Sequence, residues 1–183
     1  MSALKTSPNN KSPRMREELR LDVSLEVNSR PRKIWTDGAC FPNPGSGGWS
    51  WISDEGKSES GSLAQTTNQV MELTAVVRAI ESNLDAESLL IISDSKYVID
   101  GATSWTKKWV ANNWKTANGS PVKHQELWGK LVVLSQEIQI QFQWVRGHSG
   151  DLMNEKADEL ANRAAGIAAG YNPFKKFKKR KVA

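Results

Sequence analysis

The sequence predicts one mixed α/β domain, in which three antiparallel strands are followed by helices alternating with two further strands. Three observations carry that reading. Between residues 33 and 65, β-rich runs are separated only by turn residues. The run Leu89-Leu90-Ile91-Ile92 is apolar throughout, as expected of a buried parallel strand. Val70, Leu73, Val77, Ile80 and Leu84 recur at the 3.6-residue helical period.

Residues 1–18 are polar, contain proline and lack periodicity, which predicts disorder. Leu19, Leu21, Val23, Leu25 and Val27 then alternate with polar residues. An extra edge strand and a fluctuating linker both fit, because no turn signal precedes Asn28-Ser29-Arg30-Pro31. The first strand of the body runs through Lys33-Ile34-Trp35-Thr36-Asp37-Gly38-Ala39-Cys40. The turn Pro42-Asn43-Pro44-Gly45-Ser46-Gly47-Gly48 leads into Trp49-Ser50-Trp51-Ile52, and a third strand covers about 57–65. Thr67-Asn68 supplies an N-cap for the amphipathic helix. Residues 95–135 read as helical with one loop around Asn118-Gly119-Ser120-Pro121. Ile138 to Val145 alternates as a strand, Arg146 to Asp151 is a loop, and 154–169 is an Ala-rich helix ending at Gly170. No internal repeat is visible. The expected organisation is an N-terminal extension (1–31), a globular domain (32–170) and a basic, disordered tail (171–183).

Composition narrows the class. No apolar run approaches the ~20 residues that span a bilayer, and no apolar leader is seen near the N-terminus. The single Cys allows no intramolecular disulfide, so a reducing, cytoplasmic setting is expected. The net charge of +5 is unevenly distributed. Residues 1–33 hold eight basic and four acidic side chains, and 171–183 hold six basic and none acidic. The body between them has 11 basic and 16 acidic residues. An acidic body between basic ends is a setting that bound divalent cations would balance.

Four carboxylates stand where an anion is expensive. Asp37 is mid-strand, with Trp35, Ala39 and Phe41 on its face. Glu72 has Asn68, Gln69, Ala75 and Val76 at its helical neighbour positions, and no cation. Asp94 ends the most apolar strand, where α/β sheets place functional groups. Asp158 has Asn154, Glu155, Ala161 and Asn162 around it. Taken singly, each could be a cap or a surface charge. Should they converge, a cation must hold them, and an oxygen-only set favours Mg²⁺ or Mn²⁺ over Zn²⁺.

Five blocks connect these residues to a known family. They are Thr36-Asp37-Gly38-Ala39-Cys40, Thr66-Thr67-Asn68-Gln69-Val70-Met71-Glu72-Leu73, Ser93-Asp94-Ser95-Lys96-Tyr97-Val98, Gly147-His148-Ser149-Gly150 and Asn154-Glu155-Lys156-Ala157-Asp158-Glu159-Leu160-Ala161. In this order they resemble the signature blocks of ribonuclease H type 1 (ribonuclease HI), over roughly residues 32–168. The resemblance implies a ribonuclease H-like fold, a five-stranded mixed sheet of three antiparallel then two parallel strands flanked by helices. It also implies cleavage of the RNA strand of RNA–DNA hybrids to 3′-hydroxyl and 5′-phosphate ends. Two Mg²⁺ ions, which Mn²⁺ can replace, would act with the substrate. By resemblance, Asp37 and Asp94 match the central metal ligands, Glu72 a ligand that also touches the ribose 2′-hydroxyl, and Asp158 the ligand of the second ion. His148 matches a loop histidine that assists proton transfer or product release.

The same resemblance assigns Asn43, Asn68 and Gln69 to the RNA strand, where 2′-hydroxyls must be sensed. Trp105, Trp109, Trp114 and Trp128, with Lys107, Lys108, Lys115 and Lys123, resemble the family's basic protrusion. A packed aromatic stripe is an equal reading for each Trp. Tyr97 and Trp109 match the DNA-strand channel, Thr67 and His124 match phosphate-pocket positions, and Lys107 and Lys108 are candidate phosphate contacts. The chain departs from the pattern at Gln65 and Val70, where arginines are common, and at His124, where an Asn is usual. Each lost Arg weakens phosphate binding, which a protonated His124 or the tail could offset. The run Lys175 to Lys181 reads as a solubilising end, a nucleic-acid tether, or a nuclear localisation signal if the source is eukaryotic. A non-catalytic hybrid-binding module and a DNA-cutting relative are the rival readings. A monomer without membrane association is expected.

Overall fold

The computed structural model describes residues 30–170; the alternating segment 19–27 and the basic tail lie outside the described residues. Strands β1 (Arg32–Phe41), β2 (Gly45–Ser53) and β3 (Ser58–Thr66) form the antiparallel meander. Helix α1 (Asn68–Glu81) follows, then strand β4 (Ser88–Ser93). Next come α2 (Lys96–Asp100), a π-helical turn (Gly101–Trp105) and α3 (Thr106–Ala111). Helix α4 (Gln125–Glu137), strand β5 (Gln139–Trp144) and helix α5 (Leu152–Ala168) complete the domain. The strand order is β3-β2-β1-β4-β5, with β4 parallel to both β1 and β5. The expected five-stranded mixed sheet is present. No helix among the described residues is long and apolar enough to cross a membrane.

Alternation along β1 separates two cores. Ile34 joins Trp49, Trp51, Met71, Val76, Ile80, Leu89 and Trp128 on the face covered by α1 and α4. Ala39 packs with Ala161 and Ala165 on the face covered by α5. Each helix comes close because a glycine admits it. A Cβ on Gly38 would lie 2.1 Å from the Glu72 backbone nitrogen. On the other face, a Cβ on Gly48 would lie 2.3 Å from the Ala161 carbonyl oxygen. Ser50, the register partner of Asp37, donates its hydroxyl to the Ala157 carbonyl at 2.6 Å. The residues flanking Asp37 therefore pull α1 and α5 against opposite faces of one strand.

Several expectations need correction. Leu84 lies beyond α1 and is 46% exposed; the buried face of the helix is broader, running through Met71, Leu73, Val76, Val77 and Ile80. Phe41 is 67% exposed, so the apolar face beside Asp37 stops at Ala39. The stretch 95–135 is interrupted by more than a short loop. Asn112 to His124 leave the helix, pinned by the bridge Lys115↔Pro121 and by Asn113, Trp114 and His124 at positive φ. Helical periodicity in the flanks hid this excursion, because Asn and His tolerate the left-handed region that ends a helix.

Gly38→Ala and Gly48→Ala should each lower unfolding free energy by about 3 kcal/mol, since the added methyl meets backbone that cannot rotate away. Urea denaturation measures this, and a loss below about 1 kcal/mol would show that the helices have slack.

Candidate active site

Sheet register brings the first two carboxylates together. The parallel pairing of β1 and β4 runs to Trp35↔Ile92, so Asp37 and Asp94 come two residues later on neighbouring chains. Asp94 follows the carboxyl end of β4, and Asp37 lies mid-β1 just past the last β1–β4 pair, at the point where the strand order reverses, the usual crevice of α/β sheets. Glu72 arrives on α1 and Asp158 on α5, through the close approaches described above.

Burial and charge act together on these acids. Asp37 is 8% exposed, and its carboxyl is pushed up to about 8, first by burial and then by the charge of Asp94. The charge of Asp158 and a hydrogen bond shared with it push the same way, against the lowering effect of the Gly38 N–H. Glu72 is also pushed above the usual carboxylate range, mainly by burial and further by Asp94, while bonds from Ser95 and Asn68 oppose the rise.

Neutral donors hold the acids in place. Asn68 Nδ2 donates to Glu72 Oε1 at 2.8 Å, and Ser95 Oγ to Glu72 Oε2 at 2.7 Å. Asn162 Nδ2 donates to Asp158 Oδ1 at 2.8 Å, and Asn154 Nδ2 to Asp94 Oδ2 at 3.3 Å. Among the described residues none of the four carboxylates forms an ion pair; the ion pairs centre on Arg32, Glu55 and Asp85, with one between Arg78 and Glu81. Among the described residues no three acidic, His or Cys side chains are gathered closely enough to hold a metal ion by themselves. An oxygen-only set that includes the buried Asp37 and Glu72, both pushed above the usual carboxylate range, fits a divalent cation.

The remaining predicted residues fall into two groups. Asn43 Oδ1 accepts the Asn68 N–H at 3.2 Å, so the β1–β2 turn touches the start of α1. Gln69 is exposed beside them, and Thr67 caps α1 by accepting from the Val70 N–H. Tyr97 and Trp109, with Trp105, Val122 and Lys123, line a separate cleft of about 600 Å³. Trp128 is fully buried and donates to the Tyr97 hydroxyl at 3.0 Å; Trp109 packs edge-on against it. For Trp128 the aromatic stripe is therefore core, whereas Trp105 and Trp109 both pack and line the cleft. Lys108 is exposed on α3, but Lys107 borders a different groove with Val110 and Leu131. His124 packs edge-on to Tyr97, and burial with nearby Lys123 lowers its pKa. It is held neutral near pH 7, which opposes the suggestion that its charge replaces a missing Arg.

His148 is exposed at φ 50° in the loop before α5. Sequence reasoning missed what brings that loop in. A Cβ on Gly147 would lie 2.4 Å from Asp94 Oδ2. Trp144 Nε1 donates to the Asp94 carbonyl at 3.0 Å, and the Val145 N–H to the Ser93 carbonyl at 3.1 Å. Asn154, Ser95 and Asn162 were missed too. Their only local signal is their spacing: Asn154 and Asn162 lie one helical turn either side of Asp158, and Ser95 follows Asp94.

The RNase H family profile matches residues 30–166. A ribonuclease H of Thiobacillus denitrificans is 45% identical over 141 residues, covering 75% of this chain and 95% of its own. A ribonuclease HI of Neisseria meningitidis serogroup B is 45% identical over 135 residues, 72% of this chain and 93% of its own. Among solved structures, LC9-RNase H1, a type 1 RNase H with the type 2 active-site motif, superposes with a TM-score of 0.65 at 26% identity, covering 76% of this chain and 75% of its own. A foamy viral protease-reverse transcriptase in complex with RNA/DNA hybrid superposes at 0.63 over 90% of this chain and 22% of its own; at 22% identity it speaks for the fold alone.

Two outcomes follow from this geometry. The folded Asp37 carboxyl keeps its proton up to about pH 8, while the unfolded one releases it near 3.8. Between those limits the unfolded state binds fewer protons, so stability falls as pH rises. Asp37→Asn should therefore melt several degrees above the native chain at pH 8 in EDTA, with the gap closing toward pH 4; a gap independent of pH would contradict the assignment. Gly147→Ala should leave the melting temperature within a few degrees, because the Asp94 side chain can swing aside. Turnover should nevertheless fall by at least ~10-fold, measured alongside the melt.

Proposed function

Because the chain belongs to the ribonuclease H family and has its fold, we propose that it hydrolyses the RNA strand of RNA–DNA hybrids, with Asp37, Glu72, Asp94 and Asp158 as its catalytic, metal-holding residues. The observation that carries this reading is the grouping of these acids where β1 and β4 part, with Asp37 buried and its carboxyl pushed up by burial, Asp94 and Asp158. Such a site is short of positive charge, and its chemistry fits divalent cations as the remedy. Held there, Mg²⁺ or Mn²⁺, two ions once a substrate phosphate is present, would supply Lewis-acid charge and lower the pKa of an attacking water.

The chain's own residues do the rest. Asp37, fixed in a strand, and Asp94, pinned by Trp144 and Asn154, define where the scissile phosphate lies. Glu72 faces the RNA side, because Asn68 links it to Asn43 and places Gln69 alongside. Those amides offer donors and acceptors suited to a 2′-hydroxyl, which DNA lacks. Asp158 on α5 closes the opposite side. His148, exposed on its loop, is assigned to assist proton transfer or product release, and the products carry 3′-hydroxyl and 5′-phosphate ends. The DNA strand is assigned to the cleft of Tyr97 and Trp109, with Thr67, His124 and Lys108 as further contacts. With His124 neutral and Lys107 turned to another groove, phosphate grip there rests on Lys108 and Lys123. The chain works as a cytoplasmic monomer in this reading.

The test is cleavage of labelled RNA in three contexts. RNA in a hybrid should be cut with Mg²⁺ and spared with EDTA, while single-stranded RNA and duplex DNA survive. Equal cutting of duplex DNA would sink the proposal, and hybrid binding without cleavage would favour a non-catalytic module. Asp94→Asn should lose at least ~10²-fold in turnover while still binding hybrid.

A further inference from the structure

Among the described residues Thr36, Thr66 and Asn154 each bury a side-chain oxygen without a hydrogen-bond partner, and of these Asn154 is the one bonded to an acid of the cluster. It is 2% exposed, in the first turn of α5, one turn before Asp158. Its backbone N–H is satisfied by Asp151 Oδ1 at 3.1 Å, so the side chain is not needed to cap the helix. Nδ2 donates to Asp94 Oδ2 at 3.3 Å. Oδ1 is buried with no hydrogen-bond partner. Turning the amide over would set oxygen against the Asp94 carboxylate, so Asp94 fixes its orientation.

This arrangement has a purpose that packing does not explain. Leu at this position would fill similar space without leaving an orphan acceptor in low dielectric. The same Asp94 oxygen is the atom that a Cβ on Gly147 would strike, at 2.4 Å. The Asp94 backbone is held separately, by Trp144 Nε1 at 3.0 Å, and the Trp144 ring lies 5.1 Å under Lys96 Nζ. Main chain and side chain of Asp94 are thus fixed by different elements, the side chain by Asn154.

We propose that Asn154 is a positioning residue: Nδ2 sets the rotamer of Asp94, and Oδ1 accepts a hydrogen bond from water that enters with the divalent cation. The proposal rests on the metal-dependent reading above. It makes Asn154 act through Asp94 and through hydration, without touching the substrate.

The experiment compares the full native chain with Asn154→Leu and Asn154→Asp. It uses calorimetric titration of Mg²⁺ alone, kcat and KM on labelled hybrid, and thermal melts. Asn154→Leu removes both donor and acceptor. Its kcat and its Mg²⁺ affinity should each fall by at least ~10-fold, with KM for hybrid within about twofold of native. Asn154→Asp keeps an acceptor but replaces the donor to Asp94 with an anion. Its Mg²⁺ affinity should hold or rise while kcat falls by at least ~10-fold, a split that simple loss of structure does not produce. Should the Leu variant fail to fold, the Asp variant decides alone. Native kcat in Asn154→Asp, or unchanged Mg²⁺ binding in a folded Asn154→Leu, overturns the proposal. A native chain that neither binds Mg²⁺ nor cuts hybrid overturns the functional reading instead, so the two failures are distinguishable.

Discussion

Asp37 cannot retreat from its neighbours. It stands in the central strand, hydrogen-bonded to β2 on one side, just beyond the point where β4 pairs on the other. Water reaches little of it, and Asp94 and Asp158 bear on it from two different elements. A folded chain that tolerates this repulsion must recover the cost elsewhere. It does so through the two cores packed on either face of the same strand. Ile34 anchors one and Ala39 the other, and the glycines beside Asp37 let both helices come within backbone contact. The packing that stabilises the domain is also what forces the acids together.

Charge is distributed accordingly. Arg32, at the start of β1, bonds Glu55 and Asp85, and Lys57 joins them, so that cluster consumes cations at the opposite end of the strand from Phe41. Around the carboxylates the donors are amides and hydroxyls from Asn68, Ser95, Asn154 and Asn162. Neutral donors orient a carboxylate without cancelling its charge, which leaves the full field of the cluster for an ion to neutralise. A lysine in place of any of them would satisfy the acid and compete with the metal. The aromatic protrusion follows a different logic. Trp128 is core, Tyr97 leans on it, and Trp109 is half in the core and half in a cleft. Rigid rings there form a wall whose shape is set by folding rather than by ligand.

The four catalytic candidates were legible one at a time, because an anion without a helical or same-face partner is visible from spacing alone. The order of strands and helices was equally legible, since the periods of 2 and 3.6 are local properties. Local pattern also misled, at Leu84 and Phe41, where an apolar residue continued a periodicity that the backbone had already left. It could not anticipate the excursion of Asn112 to His124, which depends on left-handed residues and one isolated bridge.

The sequence by itself determined which chemistry is available: oxygen donors on four separate elements, an acidic body, and the blocks that mark the family. Tertiary structure decided how those donors are used. The register of β1 against β4 puts Asp37 beside Asp94, Gly38 and Gly48 set how near Glu72 and Asp158 come, and Gly147 admits the histidine loop. The same packing lowers the proton affinity of His124 and leaves Asn154 with a free acceptor. Proton affinity and hydrogen-bond satisfaction depend on burial and on charges a few ångströms away, and such neighbours lie tens of residues distant along the chain.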